Sequence, residues 1–149
     1  MLLCVTASHK TASFEMLERL SRTPDDVAAN LLRIAPCVQG AVVVSTCNRF
    51  ETYLEVDEPV TAAGAVGVEA VIEAIEQTSG IPASELDGAY AVRSGRRVAE
   101  HLFAVASGLE SVVPGEGEIA GQVRRALKSA RKDGTTSPEL ERLFQRASQ

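Results

Sequence analysis

Apolar positions along this chain follow two rhythms, and the change between them falls at about residue 93. Leu2-Leu3-Cys4-Val5 is a short apolar run that gives way to Ser8-His9-Lys10, which predicts a strand over Leu2–Thr6. Phe14, Leu17 and Leu20 then recur at helical spacing. Thr23-Pro24-Asp25-Asp26 predicts a helix start: Thr23 caps, Pro24 suits the first turn, and the two acids favour the positive dipole end. That helix is expected to reach Ile34 and to stop before Pro36. Cys37–Ser45 reads as a second strand around Ala41-Val42-Val43-Val44. Phe50, Thr52, Leu54 and Val56 alternate with Glu51, Tyr53, Glu55 and Asp57, the period of a third strand. A hairpin is expected between the two, with Cys47 and Arg49 in its loop. Val68, Val71, Ile72 and Ile75 place a helix over Thr61–Thr78, closed by Gly80-Ile81-Pro82, and Tyr90–Arg93 is a fourth short strand.

This order predicts an α+β protein with a ferredoxin-like βαββαβ core, an antiparallel sheet with helices on one face. Beyond Arg93 the pattern is helical only. Val98, Leu102 and Val105 stripe Arg96–Ser107, and Ile119, Val123, Ala126, Leu127 and Ala130 stripe Glu116–Lys132. Leu140, Leu143, Phe144 and Ala147 follow a capped start at Ser137-Pro138-Glu139. The last stripe reaches Gln149 with no glycine or asparagine stop signal, the mark of a helix that continues. The expectation is one domain over residues 1–149, with the sheet core at about 1–93 and a helical extension at 94–149 leading into a longer protein.

Composition narrows the class. With 149 residues, 45% hydrophobic and 23% charged, the chain is an ordinary globular domain, not a disordered or collagen-like one. A net charge of −5 argues against polyanion binding by bulk charge, though a local basic face remains open. Three widely spaced cysteines without a CxxC pair fit a reducing compartment and speak against a disulfide framework or a metal ribbon. No run approaches the roughly 20 apolar residues of a membrane span. The N-terminus lacks a basic region and a long apolar core, so no secretory signal is read and a cytoplasmic location is expected.

Several segments are candidates for chemistry. Ser45-Thr46-Cys47-Asn48-Arg49-Phe50-Glu51 puts a thiol at the mouth of a strand. Cys47 is either a small core residue or a nucleophile beside hydroxyls and a guanidinium. Cys4 and Cys37 look like strand core residues. His101 borders the apolar stripe of its helix, so it is either a packing histidine or an acid–base group facing a cleft. His9 follows a strand end and reads as solvent-exposed, and no acid stands at a spacing that marks a triad or metal site with either histidine. Gly115-x-Gly117 resembles half a dinucleotide fingerprint, but Gly121 is one position late and Glu116 and Glu118 would repel a pyrophosphate. Those acids are either dipole partners at a helix start or a cation site. Arg124, Arg125, Lys128, Arg131 and Lys132 have no acid between Arg124 and Lys132 and form either a solvated face or a phosphate-contacting surface.

Ser45–Glu51 resembles the cysteine motif of the glutamyl-tRNA reductases, the NADPH-dependent first enzymes of the five-carbon route to tetrapyrroles (porphyrins). His101-Leu102-Phe103-x-Val105-x-Ser107-Gly108-Leu109-x-Ser111 with Gly115-Glu116-x-x-Ile119-x-Gly121-Gln122-Val123 resembles that family's second signature, and Ser8-His9-Lys10-Thr11-Ala12 is similar to its opening. The resemblance covers nearly the whole chain. It implies a catalytic domain, with the NADPH-binding and dimerisation domains in a later part of the full-length protein, so no cofactor or metal site is expected here. Cys47 is then the nucleophile that takes the glutamyl group from glutamyl-tRNA as a thioester. Reduction of that thioester gives glutamate-1-semialdehyde. His101 is implied as a second catalytic residue, and Thr46, Cys47, Asn48, Arg49, Ser111, Glu116, Gly117, Glu118 and Gln122 as substrate-binding positions. Arg49 suits the glutamyl side-chain carboxylate, and Ser111 and Glu116 the α-ammonium. Pro114, where the family has an apolar residue, and Glu118, where it often has glutamine, depart from the pattern. Implied partners are glutamyl-tRNA, a second copy of the full-length chain, and the downstream aminomutase. A non-catalytic tRNA- or partner-binding module, or a thiol- or haem-sensing domain, are the alternatives.

Overall fold

The computed structural model describes residues 1–57, 60–108 and 118–148, without the side chains of 60–63 and 118. In chain order these form β1 (Leu2–Ser8), α1 (Phe14–Leu20), α2 (Pro24–Ile34), β2 (Val38–Thr46), β3 (Arg49–Val56), α3 (Val60–Ser79), α4 (Ala83–Leu86), β4 (Ala91–Ser94), α5 (Arg96–Ala106), α6 (Glu118–Asp133) and α7 (Pro138–Ala147). The strands make one four-stranded sheet in the order β2-β3-β1-β4, and every neighbouring pair is antiparallel. β1 and β2 therefore run parallel with β3 between them.

Helices cover both faces of this sheet, not one. Alternate strand residues point to opposite sides. Leu3, Val5, Ala41, Val43, Phe50 and Leu54 meet α1–α4 through Leu17, Leu20, Val27, Leu31, Val71, Ile75 and Leu86. Cys4, Val42, Val44 and Tyr53 meet α5–α7 through Val98, Leu102, Val105, Val123, Leu127, Leu140 and Phe144. The C-terminal helices are thus a second layer over the sheet. This explains why β2 is an apolar run without alternation: both of its faces are buried.

Local differences from the sequence reading have local causes. Thr23 stands at the cap of α2 but its side chain makes no capping bond, whereas Ser13 and Ser137 accept from the amides of Met16 and Leu140. Phe14 continues the helical spacing yet is 67% exposed, so α1 is held chiefly by Leu17 and Leu20, with Met16 packed beside them. Cys37 precedes β2 and is half-buried, and α4 is an additional turn of helix that delivers Leu86 to the core.

The second layer has a consistent orientation. The amide of Gly95, just before α5, donates to Leu2 O, and Leu2 pairs with Glu55, so α5 starts at the sheet end far from the β2–β3 turn. The amide of Ala41 donates to Thr135 O, just past the end of α6, so the start of α6 lies toward Thr46. Ser137 Oγ donates to Glu55 Oε1 at 2.5 Å, and Phe144 meets Tyr53 edge-on at 5.2 Å between ring centres, so α7 runs back toward the turn. The ends of α5 and α7 and the start of α6 gather at the edge of the sheet that carries Cys47.

Candidate active site

Cys47 and Asn48 alone form the turn between β2 and β3, because Thr46 already pairs with Arg49. No residue other than glycine has a positive φ among those described, so this turn is not one of the mirror-image types built on left-handed residues. Side-chain and through-space bonds brace it instead. The amide of Asn48 donates to Thr46 Oγ1 at 3.2 Å, and the amide of His9 donates to Asn48 O at 3.1 Å. The Ser8–Ala12 segment after β1 thereby fixes the turn in place. Of the three thiols, Cys47 is exposed, Cys37 half-buried and Cys4 buried. Burial pushes the Cys4 thiol well above its ordinary range, with the Glu51 charge adding to it, which leaves Cys4 a protonated packing group.

Behind the turn lies a buried polar network. Arg49 was expected in the loop, but it is the first residue of β3 and 3% exposed. Its Nη1 donates to Glu51 Oε2 at 2.9 Å. The same carboxylate oxygen lies 2.6 Å from His101 Nε2, and Tyr53 Oη donates to Glu51 Oε1 at 2.7 Å. Burial by itself would raise the Glu51 pKa. The bond and charge of His101, the Arg49 charge and the Tyr53 hydroxyl outweigh it, and the net direction is down. An ionised carboxylate only accepts, so Glu51 sets the proton of the His101 ring on Nε2. Burial pushes the Tyr53 hydroxyl well up, and it stays a neutral donor.

Residues implied by the resemblance are therefore only partly assembled. Thr46, Cys47, Asn48 and Arg49 are contiguous at the turn, and His101 joins them through Glu51. Gln122 is half-buried near the start of α6 and makes no hydrogen bond to the turn among the described residues. Ser111, Glu116 and Gly117 lie outside the described residues, as does the side chain of Glu118, which opens α6. Pro114 lies outside them too. The acid partner of His101, which no sequence spacing marks, is Glu51, fifty positions away. Glu51 and Tyr53 were missed because their alternation on β3 reads as a solvent face. The signal that points to them is three further amphipathic helices that need a sheet face to cover.

No group of three or more potential metal ligands occurs among the described residues. Gly115 and Gly117 of the glycine-rich segment lie outside the described residues; α5, the last described element before them, passes into Gly108 at φ +84°.

An α+β domain that presents one accessible thiol on a braced two-residue turn, backed by a buried Arg–Glu–His network, has the makings of a thiol acyl-transfer catalyst. The model of the glutamyl-tRNA(Glu) reductase N-terminal domain matches residues 5–149, and the chain belongs to that family. It is 60% identical over 148 residues to a glutamyl-tRNA reductase of Clavibacter michiganensis, covering 99% of this chain and 34% of that protein. It is 47% identical over 153 residues to one of Tropheryma whipplei, covering 99% of this chain and 33% of the other. Among solved structures, glutamyl-tRNA reductase from Methanopyrus kandleri superimposes with a TM-score of 0.76 at 31% identity, over 99% of this chain and 32% of that one. The chain spans about a third of the length of the curated relatives it matches.

Proposed function

We propose that this chain performs the acyl-transfer half of glutamyl-tRNA reduction. The Cys47 thiolate attacks the ester carbonyl of glutamyl-tRNA; the Sγ–C bond forms, the ester C–O bond breaks, and the tRNA leaves with a proton on its terminal ribose oxygen. The observation that carries this reading is the exposure of Cys47 on a turn fixed directly ahead of the Arg49–Glu51–His101 network. Arg49, at the root of the turn and bonded to Glu51, presents the planar guanidinium that suits pairing with the glutamyl side-chain carboxylate. Thr46 and Asn48 flank the thiol as further substrate contacts. Ser111, Glu116, Gly117, Glu118 and Gln122 complete the set by resemblance. His101, held in one orientation by Glu51, is its acid–base partner.

The hydride donor belongs to another part of the longer protein, in line with the third of the relatives' length that this chain spans. Alone, the chain is expected to form the thioester and lose it to water, acting as an esterase on glutamyl-tRNA. Residues 1–149 act as one catalytic domain, a reading supported by a single sheet whose two faces are covered from both halves of the sequence. The core is of the ferredoxin-like kind, supported by parallel β1 and β2 split by β3. A cytoplasmic location is supported by the accessible free thiol and by the absence, among described residues, of a helix long and apolar enough to cross a membrane.

The test is the intact mass of the chain after mixing with glutamyl-tRNA and quenching in acid. The expected result is a gain of one glutamyl residue mapped to Cys47 and absent in Cys47→Ser. An adduct that persists in Cys47→Ser would overturn the assignment. So would failure of both this chain and the full-length protein to form one.

A further inference from the structure

Where α5, α6 and α7 converge at the Cys47 end of the sheet, they enclose a cleft of about 380 Å³ lined by Phe103, Ala106, Ala120, Arg124, Arg146 and Ala147. Among the described residues, no carboxylate lines it. Phe103 is 42% exposed, one of the few large apolar side chains of the described residues left open to water. Arg124 and Arg146 are exposed and have no hydrogen-bonded or ion-paired partner among the described residues, whereas Arg131, two turns further along α6, is held by Glu141 through three bonds of 2.6–3.0 Å. On the opposite flank of α6, Ser129 bonds Asp25 of α2 and closes that side. The two unpaired guanidiniums and the exposed ring thus share a concave wall, on a chain whose net charge is −5. An exposed ring and cations lining one cleft are what hold single-stranded nucleic acid: bases stack on the ring, and the cations follow the phosphates.

We infer that this cleft receives the unpaired 3′ end of the tRNA, with a base stacked on Phe103 and phosphates on Arg124 and Arg146. The inference rests on the proposed acyl transfer, which requires the esterified terminal ribose to reach Cys47. The orientation of the helices supplies the link, since all three ends that form the cleft lie at the edge of the sheet carrying that thiol. Charge complementarity identifies the occupant as a polyanion, and the exposed ring identifies the unpaired part of it.

Anisotropy titration of 5′-labelled acceptor minihelices, one with the unpaired 3′ tail and one without, tests this directly. Removing the tail is expected to weaken binding, and Phe103→Ala to weaken the tailed minihelix by about 5- to 150-fold while Phe103→Tyr preserves it. Arg124→Gln and Arg146→Gln should each lower the slope of log affinity against log salt by about 0.7. Lys132→Gln, at the far end of α6, serves as the control for a diffuse basic surface. Equal binding of both minihelices, or Phe103→Ala and both arginine variants no worse than Lys132→Gln, would overturn the inference. Self-association of the free chain that is lost in Phe103→Ala would also overturn it, by assigning the cleft to a second copy. Mass analysis of Cys47 separates this result from the parent reading. Tail-dependent binding without an adduct sinks the acyl transfer and leaves the cleft as an RNA site. Wild-type adduct formation by Phe103→Ala sinks the cleft and leaves the chemistry.

Discussion

His101 Nε2 and Glu51 Oε2 lie 2.6 Å apart in a buried setting, joining a helix of the C-terminal layer to the strand that begins at the cysteine turn. Glu51 also carries Arg49, so one carboxylate compensates a buried guanidinium and orients an imidazole. Glu51→Gln removes the charge that Arg49 Nη1 and His101 Nε2 both face. A cost of up to about 3–5 kcal/mol is expected, the range for removing one member of a buried ion pair. The pH dependence follows from the lowered Glu51 pKa. A carboxyl depressed in the folded state stabilises above its unfolded value of about 4.3, and that contribution fades as pH falls through the folded pKa. Urea unfolding should therefore show a wild type–variant gap that is constant above about pH 5 and narrows on further acidification. A gap independent of pH down to the acid limit would remove Glu51 ionisation from the account.

Alkylation kinetics check the division of labour among the three thiols. Native protein treated with iodoacetamide at neutral pH should label Cys47 first, Cys37 more slowly, and Cys4 only on unfolding, since Cys4 is buried with its pKa pushed up. Peptide mass spectrometry over time reads the order. Labelling of Cys4 in step with Cys47 would mean that the α5–α7 layer opens readily.

The element pattern was legible in the sequence because it rests on local periodicity and turn residues. Each long helix and each strand lies where spacing puts it, to within a few residues. The environment of β3 was not legible. Its alternation is real, yet Glu51 and Tyr53 face His101 and Phe144, which the chain supplies fifty and more positions later. A period says which residues share a face; it does not say what covers that face. The same limit put Arg49 in the loop, since a guanidinium beside a polar turn looks solvated until its buried acid is known. Cys47 and its neighbours stand out as candidates because sequence-adjacent residues make a local motif.

Phe144→Ala tests whether the C-terminal helices are an extension or part of the fold. Phe144 is fully buried against Tyr53. Truncating such a ring in a packed core costs about 3–5 kcal/mol. Chemical denaturation monitored by circular dichroism should show that loss in one cooperative transition. If α7 were an appendage, the sheet core would keep its midpoint and only helical signal would melt early.

Gly40 provides a sharper probe of the same interface. It sits at the register shift between β2 and β3, and a Cβ there would stand 2.6 Å from Ser137 Cβ and 3.0 Å from its backbone nitrogen. Ser137 cannot simply swing aside, because its hydroxyl caps α7 and donates to Glu55. Gly40→Ala must therefore displace the start of α7 from the sheet, and overpacking of this kind costs about 1–3 kcal/mol. Ser137→Gly in the same chain opens the space but gives up the cap. The double variant should then be less unstable than the sum of the two singles, because the clash and the capping bond involve one side chain. Strict additivity of the denaturation midpoints would show that the strand and the helix do not meet as closely as the structure places them.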